Sequence, residues 1–215
     1  MAKYDSPDKG KLEKSWLESN SKLIGTDEVG RGCIAGPVFA ACVALDYEEL
    51  YALPKDKLAL IRDSKTLSAK QRGEIAPIIK SIALESYIAM VSAREIEKIG
   101  ILKASLLAMH RAVSLCHRPY DVLLIDGRDQ LPDYLGKQIT VIGGDNLAYC
   151  IAAASILAKI SRDRYMQDAA VKYPEYHFEK HVGYGTKAHI EALQTHGACP
   201  LHRKTFAPVT RVLSK

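Results

Sequence analysis

Three times in this chain an apolar run ends on an acidic residue set beside glycine. Residues 23–26 lead into Asp27 and Glu28, with Gly30 close behind. Val122, Leu123, Leu124 and Ile125 lead into Asp126 and Gly127. Val141 and Ile142 lead through two glycines into Asp145. A short apolar run bounded by turn residues reads as a buried strand, so each acid sits where a strand leaves its sheet. Neighbouring parallel strands end together, and such acids then converge. That pattern asks for a sheet with at least some parallel strands.

The remaining periodicity supplies the connections. Runs 21–28 and 37–45 are strand-like and are joined by the glycine-dense stretch 30–36, which reads as a hairpin loop that something approaches closely. Ser68 with Gln71, and Ser92 with Glu95, are capping boxes that open helices. Run 82–91 is a third strand. Run 101–116 has helical spacing, 121–126 and 138–142 are short strands, and 146–172 is the longest helical pattern, apolar nearly all round at its start and hence central. Run 186–195 is a last amphipathic helix, stopped by Gly197. Strands followed by alternating helices and strands predict an α/β fold: a mixed sheet flanked by helices, antiparallel in the hairpin and parallel afterwards through right-handed crossovers, with a C-terminal helical region. Residues 1–20 show no apolar periodicity and read as a flexible extension with at most a helical turn near Trp16 and Leu17. Residues 21–215 read as one domain.

Composition excludes several classes. The 215 residues carry a formal charge of only +5, which permits a polyanionic partner without requiring one. No apolar run reaches the roughly 18 residues of a membrane span, and the polar N-terminus is no signal peptide. The five cysteines form no C-x-x-C pair. A disulfide framework and a zinc site are therefore not expected, and a reducing cytoplasmic compartment and a monomer are.

Converging carboxylates repel one another unless a cation lies among them, and hard divalent ions such as Mg²⁺ or Mn²⁺ prefer oxygen ligands. Asp27 and Glu28 are adjacent, so in a regular strand they face opposite sides; both reach one site only if the strand distorts before Gly30. Asp126 and Asp145 read equally as turn or N-cap residues, and spacing alone does not choose.

The chain carries GTDEVGRG at 25–32, RDSKTL at 62–67, IDG at 125–127 and GGD at 143–145. AASILAK at 153–159 with Arg162 and Asp163, GYGT at 183–186 and HRKTF at 202–206 follow. In these motifs and their order the chain resembles the bacterial ribonuclease HII family. The resemblance spans roughly residues 21–209 and implies a ribonuclease H-like fold. It implies an endonuclease that hydrolyses the RNA strand of RNA/DNA hybrids and nicks duplex DNA on the 5′ side of an embedded ribonucleotide, leaving a 3′-hydroxyl and a 5′-phosphate. Matched motif by motif, Asp27, Glu28, Asp126 and Asp145 are the implied catalytic, metal-binding carboxylates for two Mn²⁺ or Mg²⁺ ions. Gly30, Arg31 and Gly32 are implied to read the 2′-hydroxyl and Tyr184 to pack on the next deoxyribose. Ser64, Lys65, Ser155 and Lys159 are implied substrate contacts, although Ser155 also reads as a buried serine and Lys159 as a solvated lysine. Asp163 is expected to pair with its helical neighbours Lys159 and Arg162. The histidines of the last third, among them His181, His189 and His202, are expected as surface groups or loop anchors. Arg203, Lys204, Arg211 and Lys215 form a basic tail expected to be solvated or to support duplex binding. The type 3 ribonucleases H are a related alternative, set apart by a sizeable N-terminal substrate-binding domain. A silent hybrid-binding module is the non-enzymatic one.

Overall fold

A computed structural model describes residues 9–214. The chain begins with α1 (Lys11–Leu17), then the hairpin strands β1 (Leu23–Val29) and β2 (Val38–Leu45). Helices α2 (Tyr47–Ala52), α3 (Lys55–Leu58) and α4 (Ala69–Ile82) lead to β3 (Ala83–Val91). Next come α5 (Ala93–Ile99), α6 (Ile101–Val113), β4 (Val122–Asp126) and β5 (Lys137–Val141). The short α7 (Gly144–Leu147) precedes the long α8 (Tyr149–Lys172), and α9 (Phe178–His181), α10 (Lys187–His196) and α11 (Ala207–Leu213) complete the described chain.

The sheet runs β3-β2-β1-β4-β5. β1 is antiparallel to β2 and parallel to β4, which is parallel to β5. This is the expected mixed α/β sheet, but helices fill only the connection from β1 to β4; residues 127–136 join β4 to β5 without one, so the expected helical crossover is absent there. Both capping boxes form, at the starts of α4 and α5. β4 is apolar on every residue before its acid because both of its faces are covered; Leu123, Leu124 and Ile125 are fully buried, each worth about 1.5–3 kcal/mol. One core packs α8 and α4 on one face through Leu124, Val43, Ile79 and the alanines 152–154. The other packs α6 on the opposite face through Ile24, Leu123, Ile125 and Met109. The alanines have a specific use. At Gly25 a β-carbon would lie 2.6 Å from the backbone of Cys150, so the start of α8 rests directly on β1.

Two expectations are corrected. The helical pattern 146–172 is broken at Ala148, whose backbone is extended (φ −125°, ψ 134°), so that α7 and α8 are separate. Residues 9–20 are not a loose extension: α1 docks, with Leu12, Trp16 and Leu17 against the first core and Glu13 fully buried. Too few apolar residues are involved for the docking to show as a periodicity. Residues 1–8 lie outside the described part.

Candidate active site

β1, β4 and β5 end on one edge of the sheet, and the acids gather there. Thr26 is in register with Ile125, so Asp27 and Asp126 follow side by side. Asp126 is in register with Val141, and the chain turns from β5 directly into α7, bringing Asp145 to the same edge. The backbone N–H of Gly144 donates to Asp126 at 2.7 Å, tying α7 to the end of β4. A β-carbon at Gly144 would lie 3.3 Å from Asp126 Oδ1 and 2.6 Å from the tip of Ile151, so a side chain there would press on both.

β1 does not distort. Its register with β2 is unbroken from Gly25 to Val29. Asp27 therefore faces the α8 layer with Leu23 and Val29, while Glu28 faces the α6 layer with Ile24 and Thr26. The expected distortion is absent because the pairing with β2 holds the strand straight to its last residue. Glu28 reaches the cluster around the sheet edge instead. There it meets Arg31 at 3.3 Å and helps line a cleft of about 20 Å³ with Asp126, Ser105 and Arg128. That space admits about one water molecule. A larger cavity of about 520 Å³ lies beside Leu23, Leu45 and Tyr120, at the opposite strand ends. The acidic edge is thus an open rim, suited to a polymer laid across it.

The four acids share one electrostatic state. Burial, then Glu28 and Asp126, push Asp27 well above the usual carboxylate range, against a hydrogen bond from Ser155. Glu28 is raised by burial, with Arg31 opposing. Asp126 is raised by burial, with the Gly144 N–H and Lys65 opposing. Asp145 is pushed up to about 6 by burial, by Asp63 and by Asp126. Uncompensated carboxylates that raise one another are the donor set a hard divalent cation fits: all oxygen, no thiolate and no imidazole. Among the described residues, no three acidic, histidine or cysteine side chains already surround one point at ligand spacing. What the acids share is the field.

The other sequence-derived residues divide. Gly30, Arg31 and Gly32 form the turn after β1, with Arg31 and Gly32 exposed. Lys65 is exposed and leans toward Asp27, Asp63 and Asp145, whose charges outweigh the effect of its partial burial and raise its pKa. Tyr184 is 40% exposed on the same rim. Ser64 and Ser155 are buried against each other at 2.9 Å, and Ser155 lies close enough to Asp27 to favour its ionised form, so both lie beneath the rim. Lys159 is not solvated but pairs with Asp163 at 2.6 Å. The second partner of Asp163 is Arg72, at 3.5 Å, and not Arg162.

Arg162 is fully buried and spent elsewhere. It donates to the carbonyls of Pro37, Ala35 and Val182. Arg203, expected in a solvated tail, is also fully buried and donates to the carbonyls of Gly30, Arg31 and Gly36 at 2.7, 3.0 and 2.9 Å. Two guanidinium forks thus hold loop 30–37 from below by its carbonyls. Gly30 has φ 98°, and a β-carbon there would collide with the Arg162 side chain, so glycine is required twice over. Sequence reasoning missed both arginines; the glycine density of their target loop was the only trace of them. It also missed Asp63, beside Asp145, and the burial of His181, His189 and His202, whose polar atoms are met within the C-terminal layer.

A mixed sheet with acids on the rim of its parallel half, covered by one long helix, is the ribonuclease H-like arrangement. The crystal structure of ribonuclease H2 from Pyrococcus horikoshii superposes with a TM-score of 0.73 at 22% identity, covering 90% of this chain and 97% of that one. The Bst ribonuclease HIII in complex with Mn²⁺ gives a TM-score of 0.68 at 18% identity, covering 90% and 70%. At the level of sequence, a ribonuclease HII from Endomicrobium trichonymphae is 49% identical over 194 residues, covering 90% of this chain and 89% of the relative. The model of the family described as Ribonuclease HII matches residues 24–209. The chain belongs to the ribonuclease HII family, and is a hydrolase of the type 2 ribonuclease H class that cleaves the RNA strand of RNA/DNA hybrids.

Proposed function

We propose that this ribonuclease also nicks duplex DNA on the 5′ side of a single embedded ribonucleotide, leaving a 3′-hydroxyl and a 5′-phosphate, and that it acts as a monomer. The supporting observation is the placement of the turn Gly30-Arg31-Gly32 directly beyond Asp27 and Glu28, with the carbonyls of Gly30 and Arg31 held by Arg203 and with Arg31 and Gly32 exposed. In this reading the rigid turn offers backbone to a ribose 2′-hydroxyl, a group that both donates and accepts. Absence of a β-carbon lets the sugar approach closely. Tyr184 lies across the rim and meets the following sugar, which must lack the hydroxyl to fit. Lys65 and Arg31 hold phosphate oxygens near the acids.

Asp27, Glu28, Asp126 and Asp145 are the carboxylates assigned to hold divalent cations, Mn²⁺ or Mg²⁺. When bound, a pair of such ions activates water and stabilises the departing 3′-oxygen. The chain's own contribution is to aim those acids and to offset part of the protonation that their burial favours. Ser155 does so at Asp27, and the Gly144 N–H at Asp126. The raised carboxylates make cation uptake a proton-releasing step, so activity falls as pH drops toward 6.

The test is duplex DNA with one embedded ribonucleotide, incubated with Mn²⁺ or Mg²⁺. A single nick 5′ of that ribonucleotide is the expected product. A strand left intact by enzyme that cleaves continuous RNA/DNA hybrid would overturn the junction reading and leave hybrid cleavage alone.

A further inference from the structure

α7 has four residues, too few to hold themselves in place, yet it carries Asp145. α8 starts immediately after the Ala148 break and has no side-chain cap of its own. Its first N–H groups need acceptors from elsewhere. They come from the chain's beginning. Glu13 accepts from the backbone N–H of Tyr149 at 2.8 Å and of Cys150 at 2.9 Å, and from the Tyr47 hydroxyl at 2.6 Å. A fully buried carboxylate at a helix N-terminus with three donors is well compensated. One turn earlier the same segment reaches α7. The Gly10 N–H donates to the Leu147 carbonyl at 2.9 Å, and the Lys9 ammonium to the Asp145 carbonyl at 3.0 Å. Residues 9–13 therefore touch 145, 147, 149 and 150, on both sides of the break.

We infer that this segment is a strap that positions Asp145, with Lys9 and Glu13 as its positioning residues. The inference rests on the reading of Asp145 as a metal-holding carboxylate. It makes a prediction opposite in sign to simple electrostatics. Removing a cation from beside an acidic cluster strengthens cation binding through the field alone. Removing a strap lets Asp145 wander and weakens it.

The experiment is calorimetric titration of Mn²⁺ into the full chain, with melting temperature recorded alongside. Lys9→Met is expected to weaken binding about tenfold, the low end for residues that orient a ligand from behind. Lys9→Arg, which restores a donor, is expected to recover most of the loss. Lys14→Met, the same charge change on an exposed position of α1, is expected to bind as wild type does. Lys9→Gln replaces the methionine variant should that one melt early. Unchanged or tighter binding in Lys9→Met, or equal weakening in Lys14→Met, overturns the strap. Asp145→Asn separates the two readings. If it weakens binding while Lys9→Met does not, the strap alone is wrong; if it leaves binding unaltered, the assignment of Asp145 fails and the strap falls with it.

Discussion

The chain buries two polar clusters, and they are built on opposite terms. At the strand ends, Asp27, Glu28, Asp126 and Asp145 crowd together and each is raised by burial, most of them further by one another. In the C-terminal layer, His181, His189 and His202 pack with ring centroids 4.2 Å and 5.2 Å apart, and every ring nitrogen has a partner. Those partners assign the protons. The Cys199 N–H donates to His202 Nδ1, so the proton of that neutral ring sits on Nε2 and is donated to His189 Nε2 at 3.1 Å. His189 then carries its proton on Nδ1 and donates to the Tyr184 carbonyl at 2.8 Å. His181 accepts the Gly183 N–H and donates to the Tyr176 carbonyl. One cluster is satisfied within the protein; the other is left in want of something. The fold leaves charges raised against one another in one place and satisfies every nitrogen in the other, and that difference is what the proposed site rests on.

The sharpest way to break this contrast is Asp126→Asn. It is expected to lower hybrid cleavage below about one per cent of wild type, beyond the 10–100-fold typical of a residue that merely supports ligands. Full activity would remove Asp126 from the site. His189→Phe tests the other cluster. It leaves the Tyr184 carbonyl and the His202 N–H unpaired and is expected to cost about 2 kcal/mol in denaturant unfolding, and an unchanged midpoint would show the chain of protons to be idle. Asp145→Asn in metal-free protein is expected to do the reverse. It relieves repulsion and raises stability at pH 8 by about 1 kcal/mol after allowance for solvent screening, whereas a loss of stability would mean the acids are already compensated.

The smallest effect is a difference of slope. His189 and His202 are lowered by burial to about 4, so the unfolded chain binds more protons below pH 6.5 and their contribution is lost as pH falls from 6.5 toward 4. Asp145 is raised to about 6, so the folded chain binds more protons and its contribution is lost as pH rises from 4 toward 6. In metal-free protein, unfolding followed from pH 4 to 6.5 is expected to show these opposed trends singly. Asp145→Asn steepens the rise of stability with pH, and His189→Phe flattens it. Identical profiles for the two variants would remove the distinction.

Local chemistry made much of the fold legible. The two capping boxes, the apolar strands and the glycines beside the acids are short-range signals, and they formed where the sequence put them. The carboxylates were singled out by their place at strand ends, and Asp145 was separated from an ordinary N-cap only by the family motif. What stayed hidden was long-range. Glu13 meets its partners 136 and 137 residues later, and Arg203 meets Gly30 from 173 residues away. Neither leaves a periodicity. The histidines do anchor loops, one of the two expected roles, but their burial stayed hidden, because a neutral imidazole is buried readily once both nitrogens are met and spacing in sequence does not reveal that. The break at Ala148 was invisible because alanine is the best of helix formers, and only the docking of α1 offsets its extended backbone.

The grip of Arg203 on Gly30 also sets an order of events during synthesis. The turn after β1 emerges early, but its clasp follows 173 residues later. At roughly 5–20 residues per second the ribosome takes on the order of ten to thirty seconds to bridge that interval. A nascent chain that has all four acids on hand still lacks the side chain that fixes the turn beside them. The acidic edge is complete before its neighbouring turn is held.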